Sequence, residues 1–487
     1  MKTTLQEQRN YVPVLLLVFI FGIIFSCVSF PNHYLFRTAT LDLGLYTNAI
    51  YDYAHFSLAD TSAFKEHASV LISDHFDLIL MLISPLSWIF ESWTLLIVQI
   101  VFLLAGGYGV YVYLTEKGTD LRLSLMGMLF FYLHFSLYSA LSFDYHSNVL
   151  AASMLPWFFV LIQRANLKRA MLILILILIC KENMALWMFF VCLGTAWLYR
   201  REGLSVKLLF MALFSIVYFF IVTGWIMPRL NHDNVYVQFN YSLLGENYGE
   251  AIKTFFRQPF KVIENLFMNN SGSMQGDGIK SETWLFFLFS GGIFLIFRPV
   301  WLFMLIPVFL QKLLHDWIQM WGVNDQYVIE MAPVIALGAF DAVSRMKKEK
   351  HRMILSILLV LMASATTIRL MDRTSARVPK ANVRLYQEAH WKSNLPIQKI
   401  HETISLIPKD AIVSAQSNIH PHLAWRDKAY MFPMLKDAEY ILYTKDLNTY
   451  PLSKKEFKEF TEKLENTPQE WSIVYSKHGV MLLKRNF

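Results

Sequence analysis

Charge is scarce in this chain. Of its 487 residues, 17% are Asp, Glu, Lys or Arg, where an ordinary soluble domain carries about 25%, and that shortage excludes a water-soluble enzyme. Cysteine is scarcer still: Cys27, Cys180 and Cys192 are the only three. All three lie in apolar runs, where cysteine behaves as a small buried hydrophobe, so neither a disulfide framework nor a CxxC metal pair can be drawn. Twenty glycines and sixteen prolines are too few for a fibrous or disordered chain. What is plentiful is apolar, 55% hydrophobic and 15% aromatic residues. The composition is that of an α-helical polytopic membrane protein. The surplus of +7 charges does not point to nucleic acid. Through residue 371 most Lys and Arg sit in short clusters between apolar runs, which is how membrane orientation is written.

A hydrocarbon core of about 30 Å takes roughly 20 apolar helical residues, fewer where a helix is broken. Eleven runs qualify: Tyr11–Phe30, Thr94–Leu114, Leu123–Leu141, Ser147–Gln163, Ala170–Cys180, Met184–Tyr199, Leu204–Met227, Trp284–Phe297, Val300–Leu314, Tyr327–Ser344 and Met353–Met371. About eleven transmembrane helices are therefore expected. The first follows Lys2 and Arg9 without a small-residue cleavage site, as in an uncleaved anchor. His75 to Phe90 is short and interrupted by Pro85, so it is set aside as interfacial or re-entrant. With the N-terminus inside, this count puts Lys117/Arg122, Arg164/Lys168/Arg169, Arg200/Arg201/Lys207, Arg298 and the run Arg345–Arg352 on the cytoplasmic side. Counting His75–Phe90 as a span would put all of them outside.

The expected organisation is a transmembrane domain over 1–371 and an extracytoplasmic α/β domain over 372–487. Two outer loops, 31–93 with membrane-lying helices and 228–283, accompany them. In the tail, Ile397, Ile400, Ile404 and Ile407 mark one amphipathic helix, and Phe457, Phe460 and Leu464 another. Strand-like runs occur at Ala411–Ala415, Tyr440–Tyr443, Trp471–Tyr475 and Val480–Leu483, the last two separated by a hairpin turn at Ser476–Gly479.

Charges at membrane depth are costly and so mark function by default. Four groups stand out, and the topology brings all of them to the outer face. Asp42 precedes an amphipathic stripe of Leu45, Tyr46, Ala49, Ile50 and Tyr53, where it suits either a site or a helix cap. In Asp74-His75 the acid reads as a cap, while the imidazole is free to face a cleft. Asp144-Tyr145-His146 places a carboxylate and an imidazole at i and i+2, suited to a metal or a phosphate-bound water, or to simple anchoring through Tyr145. Lys181-Glu182-Asn183 breaks a long apolar run; it is either a self-neutralising pair or a broken helix lining a cavity. One cation and two imidazoles among carboxylates suit an anionic, phosphate-containing ligand. A nearby carboxylate can take a proton from an attacking hydroxyl.

These motifs carry a resemblance over nearly the whole chain. Asp42-Leu43-Gly44-Leu45-Tyr46, His75-Phe76 leading to Ser84-Pro85-Leu86, Phe143-Asp144-Tyr145-His146 and Lys181-Glu182-Asn183 resemble a bacterial and archaeal family of uncharacterised polytopic membrane proteins. That family, a domain of unknown function, looks like the GT-C glycosyltransferases. Ile407-Pro408-Lys409-Asp410-Ala411, Ser414-Ala415-Gln416, Pro421-His422-Leu423 and Phe432-Pro433 are similar to its C-terminal part. The resemblance implies a GT-C-like fold in the cell membrane and a polyprenyl-phosphate-linked sugar donor in the outer leaflet. It implies a cell-envelope acceptor and Asp42 as catalytic base, with Asp144 and His146 in the second outer loop and Lys181 approaching the donor phosphate. Asp144, His146 and Lys181, together with His75 and Glu182 from the charge pattern, are the expected substrate-binding residues. It leaves a divalent metal, Mg or Mn, open, since some such enzymes need one and others do not. Two departures weaken a metal: Asn183 stands where the family often has Asp, and Gln326 precedes Tyr327 where it tends to have His. An envelope-lipid transporter or flippase would instead show inverted repeats and a midplane site. A non-catalytic assembly factor would tolerate loss of the loop acids. Sugar, acceptor and oligomeric state are not written in the sequence.

Overall fold

The computed structural model describes residues 2–376 and 378–486. It is a polytopic α-helical membrane protein with a small mixed sheet near its C-terminus, and the expected eleven spans are not there. Among the described residues four helices are long and apolar enough to cross a membrane: Tyr11–Tyr34, Ile79–Glu116, Ser205–Leu230 and Glu349–Asp372. A fifth results if Leu121–Leu133 and Phe135–Leu141, bent by 41°, form one span. The segment set aside as re-entrant runs on into the second of these through short helical turns.

The correction has a local physical cause. Apolar runs were counted as if each formed one helix, but the folded chain interrupts them. The two runs on either side of Lys181–Asn183 form helices of only 12 and 15 residues, Leu167–Leu178 and Met184–Leu198. Gly291, in the left-handed region at φ 104°, ends Ile279–Phe289 inside the run Trp284–Phe297, and Pro307 divides the run Val300–Leu314 into helices of five and eight residues, Pro299–Phe303 and Ile306–Leu313. The longest of the short apolar helices, Ser147–Gln163, has 17 residues. At 1.5 Å per residue it is about 25 Å long, short of a 30 Å core.

One carboxylate organises the end of the bundle where the basic clusters meet. Asp341, 1% exposed, accepts from Lys117 and from Arg298 Nε at 2.7 Å, and lies 3.5 Å from Arg345 Nε. Three of the clusters that the charge rule put on one side therefore share one end of the bundle. Removing one partner of a buried ion pair typically costs about 3–5 kcal/mol. The cations here still reach water, so Asp341→Asn is expected to cost nearer about 2 kcal/mol, read as a lowered midpoint of thermal unfolding in detergent. An unchanged midpoint would mean the cluster is ornamental.

The C-terminal sheet has the order β2-β1-β3-β5-β4, where β1 is Val413–Ala415, β2 Ala429–Met431, β3 Tyr440–Thr444, β4 Trp471–Lys477 and β5 Val480–Arg485. β1 runs parallel to β2 and β3, while β5 is antiparallel to β3 and β4. All four expected strand runs form strands; β2 was not anticipated. The expected hairpin turn holds His478 and Gly479, both at positive φ. The helices Ile397–Ile404 and Lys454–Glu465 form over the two amphipathic patterns, the second closed by a capping box of Ser453 and Glu456.

This sheet region grips the segment after the first helix. Asn48 Nδ2 donates to the carbonyls of Ala424 and Arg426 at 3.2 and 2.7 Å. Thr40 Oγ1 donates to Ser417 O at 3.2 Å, and Asn418 Nδ2 to Thr38 O at 3.0 Å. Gly44 explains itself here: a Cβ at this position would run into the His420 imidazole. Glycine in the Asp-Leu-Gly motif is thus a matter of close approach.

Candidate active site

The segment bearing Asp42 begins as a π-turn, Thr40–Gly44, that continues into the helix Leu45–Ala54. Its first backbone amides need an acceptor, and Ala39 at the cap position has no side chain to offer one. The acceptor comes from a hundred residues away: Asp144 Oδ2 takes Ala39 N at 2.8 Å and Leu43 N at 3.3 Å. Asp42 is therefore not the cap of its own helix. Its Oδ1 lies 3.1 Å from His146 Nε2.

The loop carrying Asp144 and His146 is itself clamped. Gln99 Nε2 donates to Asp144 O at 3.2 Å, and Gln99 Oε1 accepts from His146 N at 3.1 Å. Asp144 and His146 thus point to different tasks, and they do not converge on one ligand. Burial, with the Asp42 charge added, pushes the Asp144 carboxyl well above the usual carboxylate range, against the two backbone amides. Burial also lowers the His146 pKa, outweighing the contribution of Asp42. A neutral imidazole in this place donates its Nε2–H to Asp42 and leaves the other Asp42 oxygen free.

A second imidazole–carboxylate pair stands nearby. His75 Nδ1 is 3.3 Å from Glu182 Oε1, and Phe76 N donates to Glu182 Oε2 at 3.1 Å. Burial opposes the Glu182 charge, yet His75, Lys181 and the hydrogen bonds together hold the carboxyl at about 2. Burial and Lys181 likewise oppose the His75 charge, and Glu182 and Asp74 more than compensate, so its pKa is raised. The signs of the two contributions differ. Glu182 stabilises the fold above its unfolded value of 4.5, a contribution lost as pH falls towards about 2. His75 stabilises it below 6.5, a contribution lost as pH rises through the elevated folded value. Glu182→Gln is therefore expected to lower thermal stability most between pH 4.5 and 6.5, with the gap to wild type closing on either side. A gap independent of pH would sink the pairing.

Both pairs face one cavity of about 700 Å³. Asp42, His75, His146, Lys181 and Glu182 line it together; Asp144 does not, standing behind the wall. Among the described residues the Lys181 side chain has neither an ion pair nor a hydrogen bond, which leaves an ammonium without a fixed partner at the cavity surface. Asp74 caps no helix by its side chain; its Oδ1 accepts from Gln238 Nε2 at 2.9 Å, joining the 228–283 segment to the site. No group of three or more His, Cys, Asp or Glu at metal-ligand spacing is present among the described residues.

Several residues of the site escaped the sequence reading. Lys312 and Glu330, 3.7 Å apart, line the cavity with Asn148 and Gln326. Both charges interrupt apolar runs and carried the same signal that singled out Lys181. Asp77, 2% exposed, accepts from Ser147 Oγ at 3.0 Å, and burial pushes its carboxyl up to about 6 against Lys181 and His75. An acid inside the apolar His75–Phe90 segment was the clue. Gln99, an amide within a span, gave none.

The chain belongs to the family described as "Predicted membrane protein (DUF2079)", whose model matches residues 32–482. No curated protein matches it. Two solved structures are similar to it at low identity. The arabinofuranosyltransferase AftD from Mycobacteria is matched at 12% identity and a TM-score of 0.44, over 96% of this chain and 40% of AftD. The archaeal oligosaccharyltransferase AglB from Archaeoglobus fulgidus, in complex with an inhibitory peptide and a dolichol-phosphate, is matched at 14% identity and a TM-score of 0.41. That match covers 97% of this chain and 74% of AglB. The chain thus spans two fifths of the length of the first of these.

Proposed function

We propose that this membrane protein transfers a sugar from a polyprenyl-phosphate donor to a hydroxyl of a cell-envelope acceptor, at the outer face, with Asp42 as general base. The observation that carries this reading is the Asp42–His146 contact at 3.1 Å in the same cavity as the unpartnered Lys181. The acceptor oxygen attacks the anomeric carbon and its proton passes to the free oxygen of Asp42. The bond from that carbon to the phosphate oxygen breaks, its electron pair stays with the phosphate, and polyprenyl phosphate leaves. Lys181 stabilises the charge that develops on it. His146 holds Asp42 in place. Bound at the donor phosphate, Mg or Mn would add charge neutralisation there; the steps named need only these side chains.

The sidedness rests on one helix. Gln99, which clamps the site, lies in the second turn of Thr94–Glu116, and Lys117, which joins the cationic cluster on Asp341, caps its far end. At 1.5 Å per residue they are roughly 27 Å apart, about a bilayer core. The basic end belongs inside, so the site belongs outside, together with residues 372–487 as an outer domain on a transmembrane part of 1–371. Lipid extracts provide the test: a deletion strain is expected to accumulate a polyprenyl-phosphate-linked sugar that the complemented strain consumes. Equal levels in both would overturn the proposal.

A further inference from the structure

The cavity has a second polar patch that the transfer of a proton and the release of a phosphate leave unused. Asn148, two residues past His146, lies in the first turn of the helix Ser147–Gln163. Its Nδ2 donates to Gln326 O at 3.2 Å and to Glu330 Oε1 at 3.4 Å, so three residues from two distant parts of the chain form one cluster. Each lines the cavity, and they are 6%, 5% and 3% exposed. Each also carries a buried oxygen, Asn148 Oδ1, Gln326 Oε1 and Glu330 Oε2, with no hydrogen-bond partner among the described residues. Glu330 Oε2 faces Lys312 Nζ at 3.7 Å, beyond hydrogen-bond reach.

Buried acceptors without donors are a standing cost that folded proteins avoid. Three in one cluster on a cavity wall are explained when a ligand brings the donors. The two other parts of a lipid-linked substrate cannot. A phosphate offers acceptor oxygens, and an isoprenoid chain offers neither donor nor acceptor. A sugar ring offers several O–H donors, and its oxygens in turn can accept from the Lys312 ammonium.

We infer that Asn148, Gln326 and Glu330, with Lys312 beside them, read the hydroxyls of the glycosyl ring and set which sugar is transferred. This rests on the glycosyl-transfer reading above and adds to it the part of the wall that discriminates between donors.

The test is equilibrium binding to the full-length protein in nanodiscs. The probes are undecaprenyl phosphate and undecaprenyl phosphate bearing each of a panel of hexoses and pentoses. Wild type is expected to bind at least one glycosylated lipid about tenfold more tightly than the bare one, the worth of roughly one net hydrogen bond. Gln326→Leu and Glu330→Gln should each lose that advantage while binding undecaprenyl phosphate as wild type does, which also shows that they are folded. Variants that keep the wild-type preference would overturn the inference and leave the glycosyl-transfer proposal intact. Wild type that binds bare and glycosylated lipids equally would do the same. Wild type that binds neither would bring down both.

Discussion

Asp42→Asn is expected to lower the rate of sugar transfer by about 10²–10⁴-fold, the usual worth of a general base, with the protein still inserted and folded. Asn has nearly the shape of Asp, and its amide oxygen still accepts from His146 Nε2, so the contact seen at 3.1 Å survives. What the amide cannot do is take the acceptor's proton. Because Asp42 does not cap its helix, the substitution removes no backbone hydrogen bond, and its effect on thermal stability should be small. Initial rates with a lipid-linked donor in proteoliposomes, beside donor binding, separate the two contributions. Binding should be retained and transfer lost. A variant that transfers at the wild-type rate would take the chemistry away from Asp42 altogether.

Much of this site was legible because intramembrane charge is expensive. Lys181-Glu182 broke an apolar run and lies at the break between two helices, as Asp42 and His75 lie on the cavity they were expected to share. What the sequence could not give is direction. Asp144 and His146 are two residues apart, and nothing in that spacing says that one turns to the backbone of Ala39 and Leu43 while the other turns to Asp42. Lys312 and Glu330 were hidden differently, since hydropathy reads a run with one charge as a span and moves on. The number of spans failed for the same reason. Composition measures how apolar a stretch is, whereas a Gly291 at positive φ or a Pro307 opening a new turn decides whether it stays one helix. The strands of the C-terminal sheet were easier because β-branched and aromatic runs and the turn residues between them act locally.

Asp144 supplies the second large effect, and its substitutions distinguish holding the base from touching the substrate. Asp144→Ala would leave Ala39 N and Leu43 N without their acceptor, in a segment packed too closely for water to replace it easily. The Asp42 turn would then shift, and a misplacement of about 1 Å can cost about 10²-fold in rate. The loss should fall on kcat, with KM for the donor little changed, because Asp144 stands behind the cavity wall. Asp144→Asn should recover most of the rate, since an amide oxygen accepts both backbone N–H groups as well as a carboxyl oxygen does. The elevated pKa that burial imposes on Asp144 agrees with a role that asks for an acceptor and has no need of a charge. If Asp144 instead bound substrate or a cation through its charge, Asp144→Asn would fail to rescue and would raise KM. Steady-state kinetics on the two variants side by side therefore decides between a positioning residue and a ligand-binding one.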